Sequence, residues 1–212
     1  ILQGWVSQTK VMLEFLLCQG SGGVRTFPYQ DETGKPAKML MFNGTKCHES
    51  VLTTEVPGRF IHAGLLAIGA EPGTPFQLKQ KEVTDSMDGD DFEMEFIPPT
   101  GEEIEIFVRW KSEDGKTVEY RAQDLIIDAE GKTCQVPWVF AGSLFYKDSE
   151  NVERYAADSE GEFISVSNFP TTILDITQPS SSSNEQLMYI ANEKILPERG
   201  TPVTIILSRV SP

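Results

Sequence analysis

The amino-acid sequence predicts an α+β fold, a single domain over residues 1–212 that is dominated by antiparallel β-sheet. Many short segments are rich in β-branched and aromatic residues and are separated by Gly, Pro and Asn turn signals, a pattern typical of antiparallel strands. Residues 59–70 have the apolar spacing of a clear helix, and residues 185–191 allow a second short helix. Because no repeat or linker divides the chain, its length suits one domain.

The first quarter of the chain predicts a hairpin, a long loop and two further strands. Residues 5–6 and 12–17 are the arms of the opening hairpin. Residues 19–38 contain Gly, Pro and charged residues without periodicity, so they predict a long surface loop. Residues 38–42 and 49–56 are apolar or β-branched, and we expect each to form a strand.

The predicted helix begins after Pro57-Gly58, a pair that ends the preceding strand. Its apolar residues recur at helical spacing, at Phe60, Ile61, Leu65, Leu66 and Ile68. Gly69 and then Pro72-Gly73 end the helix. His62 lies one turn before two of the apolar residues, which places it on or beside the buried face of the helix.

The second half of the chain predicts more strands. Residues 103–110 alternate apolar and polar side chains, and the turn at 113–116 returns the chain to pair over 117–122. Residues 122–128 fit either a strand or a helical turn. Other strands are expected at residues 75–79, 137–146, 163–166 and 201–207.

The charge of the chain excludes one class of partner. It carries 32 acidic and 18 basic residues, a formal net charge of −14. Proteins that bind nucleic acid show a basic patch, and none is visible, so we expect no nucleic-acid partner. No apolar run reaches the ~18 residues of a membrane span, so we expect no transmembrane segment. With nucleic acid excluded, the expected partner is a protein, a glycan or a small ligand.

The three cysteines, Cys18, Cys47 and Cys134, are too widely spaced for a CxxC motif. They allow either one disulfide and one free thiol, or three buried thiols. Cys18 and Cys47 bracket a Gly-rich segment and are the better candidates for a pair. Metal content stays open at this point.

The candidate catalytic residues are His48, Glu49 and His62, because histidine and carboxylate side chains suit acid–base and metal chemistry. Cys47 and His48 point to opposite sides of a strand, which argues against one metal ion bound by both. Neither Ser50 nor Ser143, the possible serine nucleophiles, lies in a nucleophile-elbow motif. Cys47 with His62 as base is a further alternative. The simpler interpretation is that both histidines are hydrogen-bonded structural residues.

Five sequence blocks together resemble the YdjY-domain family of bacterial proteins. They are GTKCHES (44–50), IHAGLLAIGAEPGTP (61–75), PWVFAGS (137–143), SNFPTTILD (167–175) and NEKILPERGTPV (192–203). The resemblance implies one domain over nearly the whole chain, with a loop at 19–38 longer than the family pattern. It also implies an extracytoplasmic location, periplasmic, secreted or envelope-anchored. Since the chain begins at Ile1 rather than Met, we expect a processed piece without its signal segment.

Some members of that family are labelled as ferredoxins, but the label does not transfer. Iron–sulphur clusters need grouped cysteines, and the cysteines here are scattered, so we expect no cofactor. The sequence therefore favours an exported or envelope-associated domain with a non-catalytic binding or structural role. The alternative is a hydrolase or metal-dependent enzyme that uses His48, His62 and Glu49.

Overall fold

The computed structural model of the protein describes residues 1–30, 33–44, 46–82, 92–179 and 188–210. The strands are β1 (Leu2–Val6), β2 (Met12–Leu13), β3 (Phe15–Gln19), β4 (Ser21–Gln30), β5 (Pro36–Asn43), β6 (Ser50–Thr54), β7 (Gln77–Glu82), β8 (Phe92–Ile97), β9 (Glu103–Lys111), β10 (Thr117–Arg121), β11 (Ile126–Ile127), β12 (Trp138–Phe140), β13 (Phe145–Lys147), β14 (Glu153–Tyr155), β15 (Glu162–Ser165), β16 (Leu174–Ile176), β17 (Tyr189–Ala191) and β18 (Pro202–Arg209). The helical segments are α1 (Gly58–Ala67), a 3-10 helix (Ala122–Leu125) and α2 (Ala156–Glu160).

A closed barrel of eight strands is the centre of the fold, in the order β9-β12-β16-β15-β3-β6-β1-β18. The pairing of β18 with β9 closes the barrel, with Ile206 opposite Phe107 in the middle of the ladder. Two pairs of adjacent strands in the barrel, β3–β6 and β15–β16, are parallel, and the other pairs are antiparallel. Large side chains such as Trp138 and Phe163 are fully buried in the core.

The predicted α+β class is therefore wrong. The protein is mostly β, with 43% strand and 11% helix, and its sheet is a closed barrel rather than an open antiparallel sheet. The alternation of a strand identifies its buried face but not the strand that pairs with it. Closure depends on β9 and β18, which lie far apart in the chain, so no local pattern shows it.

The predicted helix at 59–70 is present as α1, but the second one is wrong. Residues 185–187 lie outside the described ranges, and Tyr189–Ala191 forms β17 between β2 and β11. Tyr189 and Ala191 are buried while Ile190 is exposed, which is the alternation of a strand. Residues 122–128, which fit a strand or a helical turn, contain both.

Most of the stretch predicted as a loop at 19–38 is a hairpin. Strands β4 and β5 pair antiparallel from Ser21 opposite Asn43 to Gln30 opposite Pro36. Pro28 lies inside β4, and a proline normally argues against a strand. It is tolerated here because each strand of a two-stranded ribbon has one unpaired edge.

Candidate functional site

His62 lies on α1 and packs against the bend that follows β12. Its Nδ1 atom is 2.8 Å from the hydroxyl oxygen of Tyr155. That hydroxyl donates its proton to the Gly142 carbonyl at 3.1 Å, so His62 donates to the phenol through Nδ1–H. The His62 ring contacts Phe140 edge-on, with a centroid distance of 4.9 Å. Burial lowers the pKa of His62, and hydrogen bonding with Gly142 opposes that shift.

The bend itself is built by two residues in the left-handed region, Gly142 at φ 88° and Ser143 at φ 62°. The Ser143 hydroxyl donates to the Thr171 carbonyl at 2.6 Å. It also accepts the backbone N–H of Ala157 at 3.2 Å, at the start of α2. Ser143 therefore fixes the bend to two neighbouring segments, which accounts for its position without a nucleophilic role.

His48 and Glu49 lie in the turn before β6 rather than on the strand, because β6 begins at Ser50. The His48 side chain is 72% exposed, and its Nε2 atom is 3.7 Å from a carboxylate oxygen of Glu49. Cys47, one residue earlier, is buried. The Ser50 hydroxyl is buried too and donates to the Leu52 carbonyl at 2.8 Å. In this turn His48 is the most exposed of the described side chains, while Lys46 and Glu49 are partly exposed, at 29% and 20%.

The structure brings His48 and Glu49 together but gives His62 a separate set of partners. Within the described residues, no hydrogen bond, ion pair or ring contact joins His62 to His48, Glu49 or Cys47. The same part of the chain contains no group of three His, Cys, Asp or Glu side chains arranged to hold a metal ion. His48 contacts Glu49, whereas His62 contacts Tyr155. A shared catalytic role would require these two separate groups to act on one substrate.

Glu49 instead belongs to an ion-pair cluster centred on Lys46. The Lys46 ammonium lies 3.3 Å from Glu49 and 3.5 Å from Glu162, the first residue of β15. Glu162 also accepts a short hydrogen bond from the Thr171 hydroxyl. Glu14 lies beside Glu49, since its backbone N–H donates to the Glu49 carbonyl at 3.0 Å. The cluster ties the turn before β6 to β3 and β15.

The pKa shifts in this cluster follow from burial and charge. Burial, repulsion by Glu49 and a hydrogen bond shared with Glu49 raise the pKa of Glu14. Burial lowers the pKa of Lys46, but the carboxylates outweigh it and the pKa is raised. The ammonium also lies over the Phe15 ring, 5.5 Å from its centroid. Glu14 therefore holds its proton more tightly than an isolated glutamate does, while Lys46 neutralises part of the negative charge of the cluster.

Sequence reasoning missed Glu14, Lys46 and Glu162 as members of one cluster. They come from three separate segments, and each is an ordinary charged residue in its own segment. Lys46 lies within the GTKCHES block, which marks the segment but not its partners. Only the barrel topology brings β3, the turn before β6 and β15 side by side.

A second feature is an apolar groove beside α1, which we call the α1 groove. It has a volume of about 140 Å³, and its surface residues are Ile1, Leu2, Phe60, Gly64, Ile68 and Leu207. Phe60 is 58% exposed and Ile68 is 46% exposed. Ile61 and Leu65 form the buried floor and attach the helix to the barrel. The groove therefore presents apolar side chains to solvent next to a rigid helix.

Gly64 lies in the middle of α1 and opens the groove. A Cβ atom built on Gly64 would meet no atom within 4 Å. A glycine inside a helix costs about 0.5–1 kcal/mol relative to alanine. Since neither a close contact nor a left-handed φ requires glycine here, stability of the folded chain does not account for it.

Comparison with curated proteins and with solved structures finds no match. None of the described helices is both long and apolar enough to cross a membrane. A family model described as the YdjY domain matches residues 28–208, most of the chain. This match confirms the resemblance carried by the five sequence blocks. The chain belongs to the YdjY domain family.

Proposed function

We propose that this protein is a non-catalytic binding domain whose α1 groove receives an apolar side chain of a protein partner. The proposal rests on one observation: the helix position in the apolar groove that has open space above it is occupied by a glycine, Gly64. The glycine lowers helix stability and leaves room for an incoming group. A partner that packs over Gly64 would explain both properties.

The dimensions and chemistry of the groove favour a protein over the other partner classes. Ligand pockets for small molecules usually measure about 300–1,000 Å³, whereas the groove of about 140 Å³ suits one large side chain. Its lining is apolar, which is unsuited to the hydroxyl groups of a glycan. An exposed apolar patch with a polar rim is typical of protein interfaces.

Charged pairs stand at both ends of α1 and supply such a rim. Arg59 forms an ion pair with Asp158 at 2.7 Å beside the start of the helix. Arg209 is paired with Glu102, and its guanidinium would lie 3.2 Å from a Cβ atom on Gly69, just past the helix end. These pairs are exposed, so they contribute orientation more than affinity.

The alternative is a hydrolase or metal-dependent enzyme that uses His48, His62 and Glu49. It is supported by the contact of His48 with Glu49 at 3.7 Å. It is disfavoured by the separate bonding of His62 to Tyr155. Metal analysis of the purified protein decides this point: a stoichiometric ion that is lost in both His48→Ala and His62→Ala would favour the enzyme.

We also propose that the protein is exported and works in the periplasm, at the envelope or outside the cell. Support comes from the family, many members of which look exported or lipid-anchored. Fractionation of the cells that make the protein tests this location. Recovery in the cytoplasmic fraction would contradict it.

Photo-crosslinking in those cells tests the binding proposal. A benzophenone analogue of phenylalanine replaces Phe60, and a matched control replaces Phe145, which is 62% exposed and packs against Tyr155. We expect a discrete adduct from position 60 and none from position 145. The mass of the adduct distinguishes another protein from a second copy of this chain. Equal adducts from both positions, or none from position 60, would contradict the proposal.

A further inference from the structure

Two of the three cysteines meet at the base of the β4–β5 hairpin. The Sγ atoms of Cys18 and Cys47 lie 3.9 Å apart, and both side chains are buried. They form a small cluster of their own beside the main core. A disulfide requires a sulphur separation near 2.05 Å, so the two atoms need to approach by about 2 Å in total.

Both cysteines are held in place by their backbones. Cys18 lies in β3, opposite Thr53 of β6 and Glu162 of β15. The Cys47 carbonyl accepts hydrogen bonds from the Ser7 hydroxyl at 2.6 Å and from the Gln8 amide at 3.1 Å. Fixed backbones keep the two sulphur atoms facing each other.

Gly44 shows how closely the chain passes the thiol pair. A Cβ atom on Gly44 would lie 2.4 Å from the Cys47 sulphur and 2.4 Å from the Gln19 carbonyl oxygen. Gly44 also lines an open depression of about 490 Å³ together with Gln19, Gly20 and Gly161. Gly44 therefore lies between the Cys47 sulphur, which it closely approaches, and the depression that it lines.

We propose that Cys18 and Cys47 form a disulfide that locks the base of the β4–β5 hairpin to the barrel, while Cys134 stays a thiol. The hairpin lies in the segment that the bond would close, between residues 18 and 47. Cys134 is buried elsewhere, with its sulphur 3.9 Å from the Val136 carbonyl. This proposal is independent of the binding function assigned to the α1 groove.

The reaction is a two-electron oxidation with a disulfide as the electron acceptor. A Cys47 thiolate attacks one sulphur of oxidised glutathione and releases one glutathione thiolate, which takes up a proton. The Cys18 thiol then loses its proton and attacks the Cys47 sulphur, which releases the second glutathione. Two protein thiols are oxidised and one glutathione disulfide is reduced to two thiols.

The pKa values of the two thiols are shifted in opposite directions, and the shifts favour Cys47 as the thiol that attacks first. The hydrogen bond from Cys18 lowers the pKa of Cys47 and outweighs the opposing effect of burial. The bond to Cys47 and burial raise the pKa of Cys18. Cys47 is thus the better first nucleophile, and Cys18 resolves the mixed disulfide.

Refolding in a glutathione redox buffer tests the proposal. The unfolded, reduced chain is refolded with oxidised and reduced glutathione, and peptides are then mapped by mass spectrometry without reduction. We expect one crosslinked peptide pair that contains Cys18 and Cys47, a mass lower by about 2 Da, and one titratable thiol at Cys134. Three free thiols, or a native crosslink to Cys134, would overturn the proposal.

Thermal unfolding gives a second readout on the same chain. The oxidised form should melt about 5–10 °C above the form reduced with dithiothreitol, because the bond restricts the unfolded chain. Cys134→Ala should keep the crosslink and the shift, and Cys47→Ala should lose both. An oxidised form that contains the crosslink but melts no higher than the reduced form would contradict the locking role.

Discussion

The Nδ1 atom of His62 lies 2.8 Å from the hydroxyl of Tyr155, a residue 93 positions further along the chain. This contact joins α1 to the β13–β14 hairpin and, through the Gly142 carbonyl, to the bend after β12. His62 therefore has a structural partner set that His48, mostly exposed in its turn, lacks. The two histidines should respond differently to substitution.

The first prediction compares the two histidines. His62→Ala should lower the free energy of unfolding by about 1–3 kcal/mol, because it removes a half-buried ring and leaves the Tyr155 oxygen without its donor. His48→Ala, at an exposed position, should change it by less than about 0.5 kcal/mol. Urea unfolding followed by fluorescence measures both. Equal effects would argue against the structural role of His62.

The second prediction concerns Asp175, which is fully buried on β16. Its Oδ1 atom accepts hydrogen bonds from the Ser165 hydroxyl, the Asn168 amide and the Ile176 N–H, whereas Oδ2 has no partner among the described residues. Burial is the largest effect, and it raises the pKa of Asp175 to about 7. The carboxyl is thus protonated in the folded state at mildly acidic pH.

The pH dependence follows from that shift. The folded pKa lies above the unfolded one, so stability from this group is complete below the unfolded pKa of about 3.9 and is lost as pH rises through about 7. Relative to Asp175→Asn, which does not titrate, the native protein should lose about 2–3 kcal/mol between pH 5 and pH 8. Denaturation of both proteins across that range measures the difference. A constant difference would show that Asp175 titrates normally.

The third prediction concerns the cluster around Lys46. Lys46→Met should destabilise the protein by about 1–2 kcal/mol at pH 8, because Glu49 and Glu162 lose their shared cation. The loss should shrink as the pH is lowered, because Glu14, whose pKa is raised, takes up a proton and no longer repels Glu49. Lys132→Met is the control, since its pair with Glu130 is more than two-thirds exposed on both sides. An equal loss in the two variants would show that the Lys46 cluster adds no stability.

The fourth prediction tests why α1 contains Gly64. Gly64→Ala should raise the free energy of unfolding by about 0.5–1 kcal/mol, because alanine favours the helix and its Cβ meets no neighbour. Differential scanning calorimetry should show Tm higher by about 1–4 °C. An unchanged or lower Tm would show that Gly64 does not lower the stability of the folded protein.

Much of the local structure was predictable, because it depends on local patterns. The alternation of residues 103–110 identifies β9, whose Ile104, Ile106 and Val108 are buried. The apolar spacing of residues 59–70 identifies α1. The barrel was not predictable, since its closing pair β9–β18 and its parallel pairs depend on contacts that no single segment encodes.

The candidate site was predictable only in part. Cys18 and Cys47, favoured as a pair by the segment between them, do lie side by side. His48 and His62 lie in one stretch of the sequence, which predicts that they act together, but a turn and a helix place them with different partners. The α1 groove depends on the absence of a side chain at Gly64 and on contacts from β1 and β18, neither of which periodicity shows.

The most direct test of the binding role is whether filling the α1 groove abolishes the contact made there. Photo-crosslinking from position 60 is repeated in a Gly64→Leu background, in which the added side chain occupies the space above the helix. A cooperative transition with a Tm at or above that of the unsubstituted chain shows that the variant is folded. The account predicts that the adduct disappears in Gly64→Leu and persists in Lys132→Met. An adduct that persists when the groove is filled would contradict it.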